Sequence, residues 1–309
     1  MSTNVNIRST PDGTRNKSLY SAAAIKLLSL SEYLMKSAIQ IPEAYRAKIH
    51  WYRTKLECRN FIPRADDIFI VTYPRSGTTW LQMILYQIFT DGDMDFTSIH
   101  EWSPFLEDRI SGGQNIEHLP SPRIIKSHLD YESIPKGPCK YIYVIRNGKD
   151  VAISYFHFTR MHGGFNKKDF GKFFRRFIKG KHDYGSWFDH VSQWWDNRHN
   201  LNVMFLTYEE LISNRTAAIR KIIDFCEREV GPEKFDRILE RSSFAFMKLH
   251  EGKLNIINWK FNWRIEHFIR KGQAGEWKEC FSSEQEEIFQ RGFARHLNKL
   301  SPELKDSIR

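Results

Sequence analysis

"IVTYPRSGTTWLQMILYQIF", residues 70–89, passes from a β-branched apolar run through a proline and a Gly/Ser/Thr turn into apolar residues at helical spacing. The pattern predicts a buried strand, a tight loop and a helix. Backbone N–H groups at a helix start lack intrahelical partners, and the helix dipole adds partial positive charge there. Gly77 lets the backbone approach a phosphate, Ser76, Thr78 and Thr79 add hydroxyls, and Arg75 adds a cation. The turn is therefore a candidate anion site. The same residues would also serve an ordinary strand-to-helix connection with a Ser/Thr cap. A Walker loop it is not: that motif needs lysine after its second glycine, whereas Thr78 and Thr79 follow Gly77 and the cation comes first. This order suits an anion held without a metal better than ATP with magnesium.

Further strands are expected at "RIIKSH" (123–128), "CKYIYVIR" (139–146) and the start of "LNVMFLTYEEL" (201–211). Helices are expected over Thr79–Phe89, in "DVAISYFHF" (150–158) and in "TAAIRKIIDFCERE" (216–229). Continuous apolar strands alternating with helices give an α/β fold, a single domain whose central parallel sheet is covered on both faces. Residues 162–181 and 248–275 read as mobile loops over one end of that sheet, where open α/β sheets bind ligands. Residues 1–45 read as a polar N-terminal segment with an amphipathic helix, ahead of one domain at 46–309.

The chain has 309 residues, 41% hydrophobic, which suits a folded globule. Its 47 Lys+Arg against 37 Asp+Glu give +10, an excess that favours anionic ligands, acidic membranes or simply a solvated basic surface. Cys58, Cys139, Cys226 and Cys280 are scattered without metal-ligand spacing, as in reduced intracellular proteins, and the expected location is cytoplasmic. The apolar stretch at 20–41 is interrupted by Lys26, Glu32 and Lys36, too broken to span a bilayer.

"YPRSGTTW" (73–80) resembles the YPKSGTTW loop of the cytosolic-type sulfotransferases, which use 3'-phosphoadenosine 5'-phosphosulfate (PAPS). The resemblance implies their P-loop-kinase-like sulfotransferase fold. It assigns Arg75, Ser76, Gly77, Thr78 and Thr79 to the phosphosulfate and Trp80 to the adenine. "PSPRIIKSHLDYESIP" (120–135) is similar to a second family segment, which makes His128 the catalytic base beside Lys126. Independently, imidazole titrates near neutrality and can take the proton of an attacking hydroxyl. "YVIRNGKDVAISYFHF" (143–158) and "FIRKGQAGEWK" (268–278) resemble the 3'-phosphate segments and assign Arg146, Ser154, Arg270, Lys271 and Gly272. Arg146 would otherwise pair with Asp150. "FLTYEELI" (205–212) and "RSSFAFMK" (241–248) put Tyr208, Ser242 and Phe244 at the base; Phe105 and Phe158 would line the acceptor pocket.

These segments imply transfer of a sulfuryl group from PAPS to a hydroxyl or amine of a small molecule, without a metal, leaving adenosine 3',5'-bisphosphate (PAP). Arg75, where the family has lysine, would stabilise the departing phosphate electrostatically. A kinase acting on ATP, a basic nucleic-acid-binding module and a non-catalytic nucleotide-binding relative are the alternatives. Lys278 and Glu287 match a family dimer contact, but Ser282 and Ser283 replace its central pair, so a monomer or weak homodimer is expected.

Overall fold

A computed structural model describes residues 22–31, 43–111, 116–161, 169–254 and 268–308. Contacts divide the chain into residues 1–61 and 62–309. In the first unit, residues 22–31 and Glu43–Arg59 are helical. The remaining residues of the expected helix at 20–41 lie outside the described residues. Among the described residues, no helix is long and apolar enough to cross a membrane.

The second unit is built on four parallel strands, β1 (Ile68–Thr72), β2 (Ile124–Ser127), β3 (Lys140–Ile145) and β4 (Asn202–Thr207), in the order β2-β1-β3-β4. All four expected strands are present. On one face, Ile68, Ile70, Ile124, Ile142 and Val144 pack with Leu81, Ile84 and Leu85 of α1 (Thr78–Phe89). Ile219 and Ile222 of the helix Arg215–Phe225 complete that layer. Alternation along a strand sends the intervening residues to the opposite face, and there several are aromatic. Phe69 stacks on Tyr141 at 5.3 Å, and Tyr143 stacks on Trp194 at 5.0 Å. Each wholly buried aliphatic side chain contributes about 1.5–3 kcal/mol, so both faces are held and the sheet is central, as the continuous apolar strands require.

The chain leaves β1 towards β2 and leaves β3 towards β4. The carboxyl ends of β1 and β3 thus flank the switch point where open α/β sheets form their crevice.

Both stretches read as loops contain helix. Within the stretch read as loop at 162–181, Phe170–Ile178 is a helix, and Phe173, Phe174 and Phe177 on it are buried. Glycine and lysine content masked the Phe170/Phe173/Phe174/Phe177 spacing, which is a helix face. In the stretch at 248–275, helices continue through Leu249 and over Glu251–Leu254. Residues 162–168 and 255–267 lie outside the described residues. The helix over 216–229 ends at Phe225, because Glu227 adopts φ 54° and breaks the repeat.

Candidate active site

The loop after β1 turns through two left-handed residues, Arg75 at φ 70° and Gly77 at φ 101°. Gly77 is the N-cap of α1 and supplies no side-chain cap, so the first N–H groups of the helix are left open towards the loop. A Ser/Thr cap is therefore absent. The Ser76 hydroxyl is buried without a hydrogen-bond partner among the described residues, and Thr78 Oγ1 meets Thr72 Oγ1 at 2.7 Å. A Cβ on Gly77 would stand 2.9 Å from the Tyr208 ring. Gly77→Ala is thus expected to destabilise the protein by about 1–3 kcal/mol and to weaken nucleotide binding, as read by thermal melts with and without PAP.

His128 follows β2, and its ring is oriented by main chain. Nδ1 lies 2.9 Å from the Thr72 carbonyl and 3.1 Å from Thr72 Oγ1. A carbonyl only accepts, so Nδ1 carries the proton and Nε2 is the basic nitrogen. Phe105 and Tyr184 flank the ring, each at 5.3 Å. Burial, then the Lys126 charge, pushes the imidazole down to about 3. Lys126 is buried, with its Nζ 4.8 Å from the Phe105 ring, and burial lowers its ammonium to about 8.

Arg146, at the end of β3, donates to the Arg75 carbonyl at 3.0 Å and the Gln273 carbonyl at 3.2 Å, and lies 4.2 Å from the Tyr208 ring. The alternative pairing with Asp150 is not formed: that carboxylate accepts from the N–H of Gly275 (2.6 Å) and Trp277 (3.0 Å). The Arg75 guanidinium reaches the same end of the site. It donates to Ser154 Oγ at 3.2 Å and the Phe268 carbonyl at 3.1 Å, between the Phe158 and Phe268 rings. Burial and the neighbouring Arg146 push it down to about 10, still charged at neutral pH. Arg270 makes a bidentate pair with Glu276, and Lys271 lies 3.0 Å from the same carboxylate. Burial would raise Glu276, but these two cations outweigh it and hold it at about 2.

One cavity of about 510 Å³ is lined by every residue that the sequence assigned to the site except Ser76 and Ser242. Ser242 is buried, and its carbonyl accepts the Trp80 indole N–H at 2.8 Å. Trp80 in turn meets Tyr208 edge-on at 5.4 Å. Phe244 packs against Gly272, where φ is 62° and a Cβ would stand 2.2 Å from the ring. Tyr155, Asp183 and Tyr184 also line the cavity, unassigned from sequence. Tyr155, within "YVIRNGKDVAISYFHF", and Tyr184, within the stretch "YGSWFDHVSQWW" that also resembles the family, carried a signal; Asp183 did not.

Residues 65–301 match the family model of the sulfotransferase domain. The chain belongs to the sulfotransferase family. This sulfotransferase is 36% identical to mouse sulfotransferase 1E1 over 251 residues, covering 77% of this chain and 85% of the relative. It is 33% identical to mouse sulfotransferase 1 family member D1 over 282 residues, covering 87% and 94%. Among solved structures, mouse sulfotransferase SULT7A1 complexed with PAP superposes with a TM-score of 0.65 at 30% identity, over 80% of this chain and 90% of that one.

Proposed function

We propose that this enzyme transfers the sulfuryl group of PAPS to a hydroxyl or amine of a small acceptor, with His128 as general base. The convergence of two cation groups and one neutral imidazole on a single cavity carries this reading. Its polar groups fit a doubly anionic nucleotide: Arg146 Nε is buried without a partner among the described residues, as is the Ser76 hydroxyl in the adjoining loop, and Arg75 and Arg146 pair with no carboxylate there. When bound, PAPS supplies the activated sulfuryl group. Arg146, Ser154, Arg270, Lys271 and the Gly272 backbone hold the 3'-phosphate. The loop from Arg75 to Thr79, with the open N-terminus of α1, holds the 5' end, and Trp80, Tyr208 and Phe244 flank the base. Ser242 supports the base end through the carbonyl that fixes Trp80. His128 Nε2 takes the acceptor proton, and Lys126 with Arg75 offsets charge on the departing phosphate.

Isothermal calorimetry tests the reading: PAP should bind far more tightly than AMP, and without magnesium. Equal affinities would remove its basis. A kinase is not favoured, since Thr78 stands where the motif needs its lysine, even though Thr79 supplies a hydroxyl at the next position.

Phe105, Phe158, Tyr155 and Tyr184 give the acceptor end an aromatic wall. Asp183 is the acidic residue lining the cavity among the described residues, which supports an acceptor that carries an amine. Cys139, Cys226 and Cys280 are free thiols, which supports a reducing, cytoplasmic setting. Residues 1–45 precede the transferase domain of 46–309 as a separate segment, and the protein is a monomer or weak homodimer. Limited proteolysis and sedimentation test these two statements. Ser282, one of the two serines at the dimer position, caps the helix Ser283–His296.

The Glu276 carboxylate occupies the cations assigned to the 3'-phosphate, so donor binding must displace or share it. Glu276→Gln is expected to tighten PAP binding roughly threefold to tenfold, the range of a charge pair worth about 1 kcal/mol. Weaker PAP binding by the variant in calorimetry would instead make Glu276 a support for the two cations.

A further inference from the structure

Glu107 is a buried carboxylate that sulfuryl transfer, as derived above, does not use. It is 5% exposed and lies in the 3₁₀ helix Leu106–Ser111. The segment that leads to it joins the outer edge of β2: the Lys126 N–H donates to the Pro104 carbonyl at 2.9 Å, and Phe105 pairs with Lys126 as a parallel bridge. Glu107 Oε1 then accepts the His128 N–H at 2.7 Å, the Ser127 hydroxyl also acts on the carboxyl, and Oε2 is buried without a well-formed hydrogen bond among the described residues. An ionisable group buried this deeply costs stability that an apolar side chain would not. Packing alone does not account for it.

The main chain of His128 is tied on both sides of its ring. Glu107 takes the N–H; His190 Nε2 donates to the carbonyl at 3.2 Å, with Tyr143 Oη 2.7 Å from His190 Nδ1. Since Nε2 faces a carbonyl it carries the proton, and Nδ1 accepts from the tyrosine. The ring is thus suspended from two main-chain hydrogen bonds and aimed by a third, to Thr72. Glu107 provides the one that lies towards β2, next to Lys126.

We propose that Glu107 is a positioning residue: its carboxyl fixes the His128 backbone so that Nδ1–H stays on the Thr72 carbonyl and Nε2 stays aimed at the acceptor. The proposal rests on His128 being the base. Burial also pushes the carboxyl up to about 8, against the opposing pull of the His128 N–H. A neutral carboxyl beside Lys126 therefore does the same work as a charged one, and the hydrogen-bonding oxygen is what matters.

The test compares Glu107→Ala, Glu107→Gln and Glu107→Asp by steady-state kinetics, PAP calorimetry and ¹⁵N shifts of the His128 ring. Glu107→Ala should lower kcat about 10²-fold, the cost of misplacing a reacting group by about 1 Å, and leave PAP affinity unchanged. Its His128 ring should shift from one Nδ1–H form to a mixture of tautomers. Glu107→Gln keeps an oxygen in place and should restore most of the turnover. Should the alanine variant not fold, the pair Glu107→Gln active and Glu107→Asp slow supports the proposal, because the shorter side chain withdraws the oxygen. The proposal is overturned by wild-type kcat in Glu107→Ala, by a loss of kcat with unchanged ring shifts, or by equal losses in the glutamine and aspartate variants. Transfer surviving in His128→Ala would remove the base reading and this proposal together; failure confined to the Glu107 variants leaves the base reading intact.

Discussion

His128→Ala is expected to lower turnover by about 10²–10⁴, the usual contribution of a positioned general base, with PAP affinity unchanged. The reason lies in the tautomer. Nδ1 is committed to the Thr72 carbonyl, so Nε2 is left to take the acceptor proton as the nucleophile attacks. Burial and the Lys126 charge push the imidazole down to about 3, and the sign of that shift matters. A base acts when deprotonated, so lowering its pKa keeps it competent to lower pH. The acid limb of kcat/KM, which reports the free enzyme, should accordingly fall well below the ordinary histidine value of about 6.5. On the alkaline side, Lys126 loses its proton above about 8 and its help to the leaving phosphate goes with it. Radiolabelled transfer assays across pH, beside PAP calorimetry on the variant, measure all three expectations. A His128→Ala enzyme that turns over at the wild-type rate would end the assignment.

Arg75→Ala should cost two to three decades of turnover, about 3–4 kcal/mol for a well-placed donor, whereas Arg75→Lys retains substantial activity. From the loop alone, Arg75 belongs to the leaving phosphate. Its guanidinium also lies 3.2 Å from Ser154 Oγ, a group assigned to the 3'-phosphate, with Arg146 bonded to its own carbonyl. Two guanidinium groups share a buried corner, and their repulsion together with burial brings Arg75 down to about 10. An anion between them relieves that cost. Unlike His128→Ala, Arg75→Ala should therefore weaken PAP binding as well as slow transfer. Calorimetry separates the two variants: unchanged PAP affinity with slow transfer would confine Arg75 to the departing phosphate. Turnover within twofold of wild type would remove it from the site altogether.

Much of the site was legible because its chemistry is written in short contiguous runs. Arg75 to Trp80, Lys126 with His128, Arg146 with Ser154, and Arg270 to Gly272 each lie within nine residues. All of these but Ser76 line the same cavity. The helix Phe170–Ile178 was not legible, because lysines and glycines around it suggest a loop while four phenylalanines set its buried face. Glu107 was equally hidden. The carboxylate that ends the family-like run "SPFLE" (103–107) shows nothing of its role until the segment docks beside β2 and finds the His128 N–H.

The sequence by itself determined the parallel sheet, through apolar runs that can only be buried on both faces, and the anion-binding turn, through glycine and hydroxyls ahead of a helix. It also marked which cations and which histidine to examine. Tertiary structure alone decided where those groups point. The strand order brings the ends of β1 and β3 together at one crevice, Arg75 bonds across 193 positions to Phe268, and His128 receives its tautomer from a carbonyl 56 positions away. Such contacts depend on which distant segments meet, and no local spacing of residues encodes that meeting.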